Sequence, residues 1–427
     1  MQKIIASAGL FTLGAAVLPA AESVLVSTND APKSWSVSAT VGGFYDDNVA
    51  TQPNSYGGKK DNGGFVVSPG GSFKKDWGRT LLDLDLVYGY RYYTEGSFFG
   101  KEHDETWNLG LLFDHKFNEH WRIRVKDSFV ASNEPDDIDN SISTPLRGDY
   151  YGQHNHGQVS ILTQFSENFG TEFCFDTHFY HYRQPGVPDA GSTAALLNRL
   201  EHYPFLDLRA RLSENVIGLV GYQLGCLDNY GQDSLFAGVP GSGITGNTRD
   251  TYSHYFYGGV DVAVNSQFTL QGKLGLHYTH WDNVPNTTDL MPYVNLSGTY
   301  QFCPKTSVRF GVKYDRAATD IIGNNWNTLT LDQAYLLVQA KLAHQLCSKV
   351  TGNLSGQYHW SVLHGNPGSA DGQSENFYSI GAGVDYEFAR HWTALASYHF
   401  DLLNSGVTSV DRSFDRNRVE LGVRATF

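Results

Sequence analysis

The chain is short of charge. Charged residues make up 18% of its 427 positions, against roughly 25% in an ordinary soluble domain. Methionine occurs twice and cysteine four times. Cys174, Cys226, Cys303 and Cys347 are too few for a disulfide framework at this length. No pair has the CxxC spacing, which excludes a zinc ribbon of that kind. Cys303 and Cys347 fall in equivalent turns of the repeat described below, so a disulfide between them stays open. Beyond residue 20 no apolar run approaches the ~20 residues that a spanning helix needs. Mean hydropathy is −0.34, which is not that of a helical membrane protein. Lys and Arg total 31 against 44 Asp and Glu, for a net charge of −13, so no nucleic-acid partner is expected.

What is present in excess is glycine (45), tyrosine (25) and phenylalanine (25). That is the composition of strands and turns. Residues 1–20 read as a secretory signal peptide: Lys3 gives a positive start, residues 4–18 are apolar and small, and Pro19-Ala20-Ala21 offers a cleavage site. Residues 21–34 form a short periplasmic lead, and residues 35–427 are left for one folded unit.

That unit is repetitive. Leu82, Leu84, Leu86, Tyr88, Tyr90 and Tyr92 alternate with Asp83, Asp85, Val87, Gly89, Arg91 and Tyr93. Period two over a dozen residues predicts a strand with one apolar face. The same alternation recurs along 107–113, 121–125, 270–278, 308–314, 336–342, 380–388 and 419–427. Short turns, flanked mostly by apolar residues four apart, punctuate the strands at Phe73/Trp77, Phe117/Trp121, Phe165/Phe169, Leu212/Val216, Val264/Phe268, Phe302/Thr306, Leu346/Val350 and Phe388/Trp392. A repeat of about 45 residues with a tight turn at its centre is a hairpin repeat. Longer segments rich in Gly, Pro, Asn, Asp and Ser lie between, at 51–63, 133–150, 184–198, 232–250, 322–330 and 364–374. Eight hairpins plus a first and a last strand predict eighteen strands, with sixteen possible because the runs near His154 and Tyr203 alternate poorly.

Short turns alternating with long loops predict an all-β fold: a transmembrane antiparallel up-and-down β-barrel with short periplasmic turns and long extracellular loops. Lipid cannot satisfy an open sheet edge, so the sheet must close. A propeller of this period would show four short strands per repeat. Trp77, Trp121, Phe169, Phe268, Phe302, Phe388 and Trp392 are expected to form a lower aromatic girdle. Tyr88, Tyr90, Tyr92, Tyr278, Tyr314, Tyr358 and Tyr398 are expected to form an upper one. At the end of the chain Val419, Leu421, Val423, Ala425 and Phe427 share a face. Val423, Ala425 and the terminal Phe427 look like the C-terminal assembly signal of bacterial outer-membrane proteins. The stretch Gly42-Gly43-Phe44-Tyr45-Asp46-Asp47-Asn48-Val49, with the hairpin repeat behind it, resembles the opening of the beta-barrel porin 2 family. That resemblance implies a Gram-negative outer-membrane location and brings no catalytic residues.

If the apolar sets face lipid, the other set faces a lumen. The candidate pore-lining residues are Arg122, Arg124, Lys126, Arg209, Arg211, Lys273, Arg309, Lys313, Lys341, Asp83, Asp85, Asp114, Asp385 and Glu387. Arg91, Arg418 and Arg424 join the basic set. Glu172, Asp176, Asp207, Asp261, Asp315, Asp401 and Glu420 join the acidic one, and the signs balance. Such charges are costly to desolvate, and eighteen strands enclose more room than side chains fill. Arg122, Arg124 and Lys126 form a basic stripe that either attracts anionic solutes or pairs with Asp114. Glu134, Asp136, Asp137 and Asp139 form the densest acidic loop cluster, read as a solvated loop or a calcium site. His154 and His156 share a face, Ser160 could face His156, and His178 and His181 point apart. No nucleophile elbow accompanies them, so neither an enzyme nor a metal or other cofactor is expected.

The reading is an outer-membrane porin forming a water-filled channel for passive diffusion of small hydrophilic solutes. Its expected partners are outer-membrane lipid and lipopolysaccharide, the barrel assembly machinery and those solutes. The alternatives are an export channel for a surface polysaccharide, or a structural or adhesive barrel acting through its extracellular loops.

Overall fold

The computed structural model describes residues 33–53, 55, 58–96, 102–134, 141, 147, 151–183, 196–231, 235, 245–265, 267–285, 287–321, 329–365, 370–408 and 411–427. The signal peptide, nearly all of the lead, and Asp136, Asp137 and Asp139 lie outside the described residues.

The strands follow one another as β1 (Trp35–Asp46), β2 (Asn62–Asp76), β3 (Thr80–Tyr93), β4 (His103–Lys116), β5 (Trp121–Ser132), β6 (Tyr151–Gln164), β7 (Phe169–Arg183), β8 (Arg199–His202), β9 (Phe205–Ser213), β10 (Val216–Asp228), β11 (Thr251–Ala263), β12 (Phe268–Trp281), β13 (Thr288–Cys303), β14 (Thr306–Ala317), β15 (Thr330–Cys347), β16 (Val350–Gly365), β17 (Ser374–Ala389), β18 (Trp392–Ser405) and β19 (Phe414–Thr426). β8 and β9 are halves of one strand, since both pair with β7 on one side and β10 on the other. Pro204 lies at the break and has no N–H for the ladder, which is why the sequence pattern fades near Tyr203. Every strand pairs antiparallel with its neighbours in sequence, and β1 pairs with β19 over Ser38–Asp46. The sheet therefore closes as an eighteen-stranded antiparallel barrel, as the hairpin repeat predicts.

Burial alternates along the strands, with outward residues exposed and inward residues half-buried or buried. On β1, Trp35, Val37, Ala39, Val41, Gly43 and Tyr45 are all exposed, while Phe44 and Asp46 between them are buried. The register carries that face around the ring: Val37 pairs with Gly71, Leu86 with Gly71 and Leu109, and Phe129 with Leu109. Trp77, Trp121, Phe169, Phe302, Phe388 and Trp392 stand exposed at the short-turn end.

Short turns recur for a local reason. Asn118 Oδ1 accepts from the N–H groups of His120 and Trp121, at 2.8 and 2.9 Å. Asn265 does the same for Gln267 and Phe268, at 2.8 and 2.9 Å. These are Asx turns, in which a side chain stands in for a backbone acceptor. The first hairpin departs from expectation. Phe73 is not at its turn but within β2, opposite Leu84. The turn comes four residues later, where Trp77 N–H donates to Thr80 O at 2.8 Å. Gly78 there has φ 83°, a left-handed conformation that glycine adopts at no steric cost. All four cysteines are free; the Cys303 thiol donates to Thr306 Oγ1 at 3.3 Å.

An acidic side chain interrupts the outward belt at mid-strand on β5. Asp127 pairs with Leu111 and Gly157, which places it on the lipid side of β5. Its two oxygens accept from Asn155 Nδ2 at 3.1 and 3.2 Å, so its charge is not left bare.

Leu276 is 49% exposed on that belt, opposite Phe256 and Pro292. Leu276→Arg should destabilise the barrel in lipid by about 2–4 kcal/mol. Ser379→Arg, on the inward face beside Asp401, should cost much less. Reversible denaturant unfolding in vesicles checks this, and equal costs on the two faces would refute the assigned register. Gly275 is no substitute for Ser379 as the inward control. A Cβ there would collide with the Phe256 carbonyl oxygen and the backbone of Tyr257.

Candidate channel interior

The inward charges come together largely as ion pairs, some between adjacent strands and others reaching across one or more intervening strands. Asp114 on β4 stands directly opposite Arg124 on β5. Its carboxylate accepts from Arg124 Nε at 2.9 Å and also from Arg122. Two of the three cations of the basic stripe expected on β5 thus share one carboxylate, because the register brings Asp114 to the same face. The third member, Lys126, sits opposite Leu112 and Gln158, with no ion pair to it among the described residues. Arg209 bridges Glu172 at 2.8 Å and Asp261. Lys273 reaches Asp207 Oδ2 at 3.0 Å and lies over the Phe205 and Tyr257 rings. Lys313 lies 3.5 Å from Asp315, and Arg424 3.4 Å from Asp385. Arg91 reaches Glu420 at 3.2 Å and Arg418 reaches Asp401 at 2.6 Å. Lys74 joins Asp83 at 2.6 Å. Arg309 and Lys341 are direct register partners. Arg211 turns down to the Ser213 carbonyl at the turn. Asp85 packs against Gly110, and Glu387 stands opposite Thr393.

The long-loop end holds features that composition did not reveal. Glu134 was expected in a solvated acidic loop. It is instead clamped by Arg416, with Nη1 to Oε2 at 2.9 Å and Nη2 to Oε1 at 3.0 Å. Burial alone would raise its pKa; the Arg416 guanidinium, helped by Arg418 and Arg91, overrides it and brings the carboxyl down to about 2. Arg147, from the same β5–β6 connection, is buried against β3 and β4. It bonds Asp104, the Tyr93 hydroxyl at 3.0 Å and the Val49 carbonyl at 3.0 Å. Ser141 lies between these two anchors in sequence. Its carbonyl accepts from Gln333 Nε2 at 3.2 Å and lies 3.0 Å from His359 Nε2. Those partners are on β15 and β16, on the far side of the ring. Ser141 of the β5–β6 connection is therefore held on the opposite side of the ring from Glu134 and Arg147.

Other connections lock onto it or onto each other. Leu196, Leu197, Leu235, Ala318 and Leu329 come from three connections and pack with Tyr180, Tyr182, Trp281 and Leu331 into one apolar cluster. Arg249 donates to the carbonyls of Thr319 at 2.6 Å and Ile321 at 2.9 Å. Its burial brings the guanidinium pKa down to about 10. Arg412 spans Asp320 and Glu375, all at 3.0 Å. Sequence reasoning had no signal for these buried Arg residues, because lone Arg residues in Gly- and Pro-rich loops carry no periodicity to mark them.

The motif 42–49 has a structural part to play. Asp46 accepts from Arg416 Nε, Asp47 from the Asn417 backbone N–H at 2.6 Å and side chain at 2.7 Å, and the Asn48 side chain donates to the Asp415 carbonyl at 3.1 Å. Each contact joins β1 or its exit to β19. Together with the backbone ladder they make the seam that closes the ring.

The chain is a β-barrel of the outer-membrane type. Residues 261–427 match the family model described as outer membrane protein beta-barrel domain. No curated protein matches the chain. Among solved structures, the barrel is similar to the outer membrane protein opdK of Pseudomonas aeruginosa, at 10% identity over 92% of this chain and 99% of that one, with a TM-score of 0.44. It is similar at 10% identity to OccK2 (OpdF) of Pseudomonas aeruginosa in complex with glucuronate, over 92% and 98% of the two chains, TM-score 0.45. It is also similar at 9% identity to the siderophore receptor PirA of Acinetobacter baumannii, over 91% and 80%, TM-score 0.43. The assignment of the barrel rests on its own strand pairing and exposed apolar belt.

Proposed function

We propose that this barrel is an outer-membrane porin, delivered by cleavage of its signal peptide, that lets small hydrophilic solutes diffuse through a water-filled lumen. The observation that supports this reading is the number of inward charges, part of which keep access to solvent: Arg91 is 28% and Glu420 37% exposed in their side chains, whereas Asp114, Arg124 and Asp207 are buried. Fully dry pairs of this number would be costly, and a wetted wall is not. The β5–β6 connection, held to β15 and β16 at Ser141, narrows the path, which favours small solutes over an exported polysaccharide. The interlocked loops favour one competing reading, a closed barrel that acts at its outer surface.

Planar-bilayer recording separates the two. The porin reading expects steady conductance with balanced wall charge and excess acid towards the mouth. Mouth charge acts over a Debye length of roughly 10 Å at 0.1 M salt and 3 Å at 1 M. Reversal potentials should therefore show weak cation preference at low salt that fades at 1 M. Replacing Arg122, Arg124 and Lys126 by Gln should strengthen that preference and make it persist at 1 M, because Asp114 loses both of its counter-ions. Strong anion selectivity, or no change in the triple variant, counts against a path along this wall. Absence of conductance favours the closed barrel.

A further inference from the structure

We propose that the inner wall at β6 and β7 carries a binding site for a divalent transition-metal ion of the zinc class, formed by His156, Asp176 and His178. His156 and His178 are direct partners across the two strands, and Asp176 is two residues before His178 on the same face. All three are half-buried, and one ligand atom from each lies within 4.8 Å of the others. Asp176 Oδ1 is 2.9 Å from His156 Nε2 and 3.4 Å from His178 Nε2. Metal–ligand bonds of about 2.0–2.1 Å in tetrahedral geometry put neighbouring ligand atoms roughly 3.3 Å apart. The spacing therefore already suits a shared ion. The two imidazoles are stacked, with centroids 4.0 Å apart and planes at 10°, so each ring need only tilt its Nε2 towards the ion.

The surroundings hold the ligands in place. Gln158 Nε2 donates to Asp176 Oδ2 at 2.7 Å, which leaves Oδ1 facing the imidazoles. His154 Nε2 lies 3.1 Å from His178 Nδ1, and the His154 ring stacks on Tyr180 at 4.1 Å. An outer-shell bond to the second ring nitrogen fixes the tautomer that a metal-bound histidine needs. Two imidazoles and one carboxylate suit zinc, copper or nickel better than calcium or magnesium, which prefer all-oxygen sites. The facing charges are mixed: Lys126 and Lys313 oppose a cation, while Glu172 and Glu201 favour it. Three protein ligands leave a fourth position open to water or a solute. Binding displaces the protons that the ring nitrogens now share with Asp176, so affinity falls as pH falls.

The test is metal binding to the full barrel in detergent, independent of conduction. Zinc is titrated by calorimetry, and cobalt is titrated by its visible absorption, whose intensity reports four-coordination. Wild type should bind one zinc saturably, with release of protons. His156→Ala and His178→Ala should each weaken binding about 10–100-fold or more. His156→Asn, which keeps a donor towards Asp176, should weaken it equally, and heat-modifiable migration on gels confirms that each variant is folded. His181→Ala, whose position faces outward on β7, should bind as wild type does. No saturable binding by wild type, or undiminished binding in the folded His156 and His178 variants, overturns the site. Binding without conductance in bilayers would overturn the channel reading and leave the metal site standing.

Discussion

Arg416→Met should lower the unfolding free energy of the barrel by about 3–5 kcal/mol, the cost of removing one partner from a buried ion pair. Arg416 is 3% exposed and Asp46 1%. The guanidinium serves Asp46 on β1 and Glu134 at the exit of β5 at the same time. Without it Asp46 loses its bonded cation, and Glu134 keeps only Arg147 at 3.8 Å and Arg418 at 4.0 Å. The effect also has a pH signature. The Glu134 carboxyl, held down to about 2, contributes stability that is complete above its ordinary value of 4.5 and is lost as pH falls through 2. In the variant that depression loses its largest cause and only Arg418 and Arg91 still act on the carboxyl, so the deficit relative to wild type should shrink between neutrality and pH 3. Urea unfolding in micelles, followed by tryptophan fluorescence at both pH values, measures this. A deficit below about 1 kcal/mol at neutral pH would mean that the cluster is an exposed, weakly coupled set of charges.

Deleting Phe427 should leave secretion across the inner membrane intact and remove most of the folded barrel from the outer membrane. Phe427 makes the last rung of the seam: its N–H donates to the Val37 carbonyl at 2.9 Å, and its carbonyl accepts from Val37 at 3.0 Å. Its ring is 55% exposed, on the same outward face as Val423 and Ala425, and stacks on His391 at 5.2 Å. An open seam edge in lipid has no partner for its backbone groups. Phe427→Ala separates the two roles, since it keeps the rung and removes the ring that the assembly machinery is proposed to read. Quantifying heat-modifiable barrel in outer-membrane fractions decides the matter. Normal levels of the deleted chain would show that the C-terminal signature was misread.

Most of the barrel wall could be read from the sequence because each strand is half exposed to lipid and half to the lumen, and period two records that directly. Leu82 to Tyr92 on β3, and Val419 to Ala425 on β19 with Phe427 just beyond it, announce their faces without any knowledge of neighbours. The pattern failed where two charges adjoin. At Lys126-Asp127 it cannot say which one faces lipid, and only the pairing with Leu111 and Gly157 places Asp127 outward. It failed again at the first hairpin, where Gly78 in a left-handed conformation moved the turn past the Phe73/Trp77 pair. The loops were the least legible part. Gly, Pro and Asn read as solvated connections, yet Arg147 and Ser141 make contacts whose partners lie 43 to 218 positions away. Sequence spacing left open whether Asp114 would pair with Arg122 and Arg124, and it could not show that His156 and His178 would meet, since both depend on the register between strands.

The seam sets β1 apart from every other strand in how far its partner lies along the chain. All other pairings join sequence neighbours through a hairpin or a loop, whereas Asp46 and Arg416 are separated by 370 positions. The ring can therefore lengthen strand by strand through local steps, with one distant encounter to finish it. The entropic cost of that encounter grows only with the logarithm of the intervening length, each doubling adding about 0.6 kcal/mol. Gaining or losing one hairpin of the repeat would change the closing cost by a small fraction of that, while altering the circumference and hence the width of the lumen. Among the described residues, the clasp built from Asp46, Asp47 and Asn48 contacts β19 and the β1–β2 connection, so it does not depend on how many hairpins lie between. Pore width and ring closure are thereby separable properties of this chain, open to independent variation.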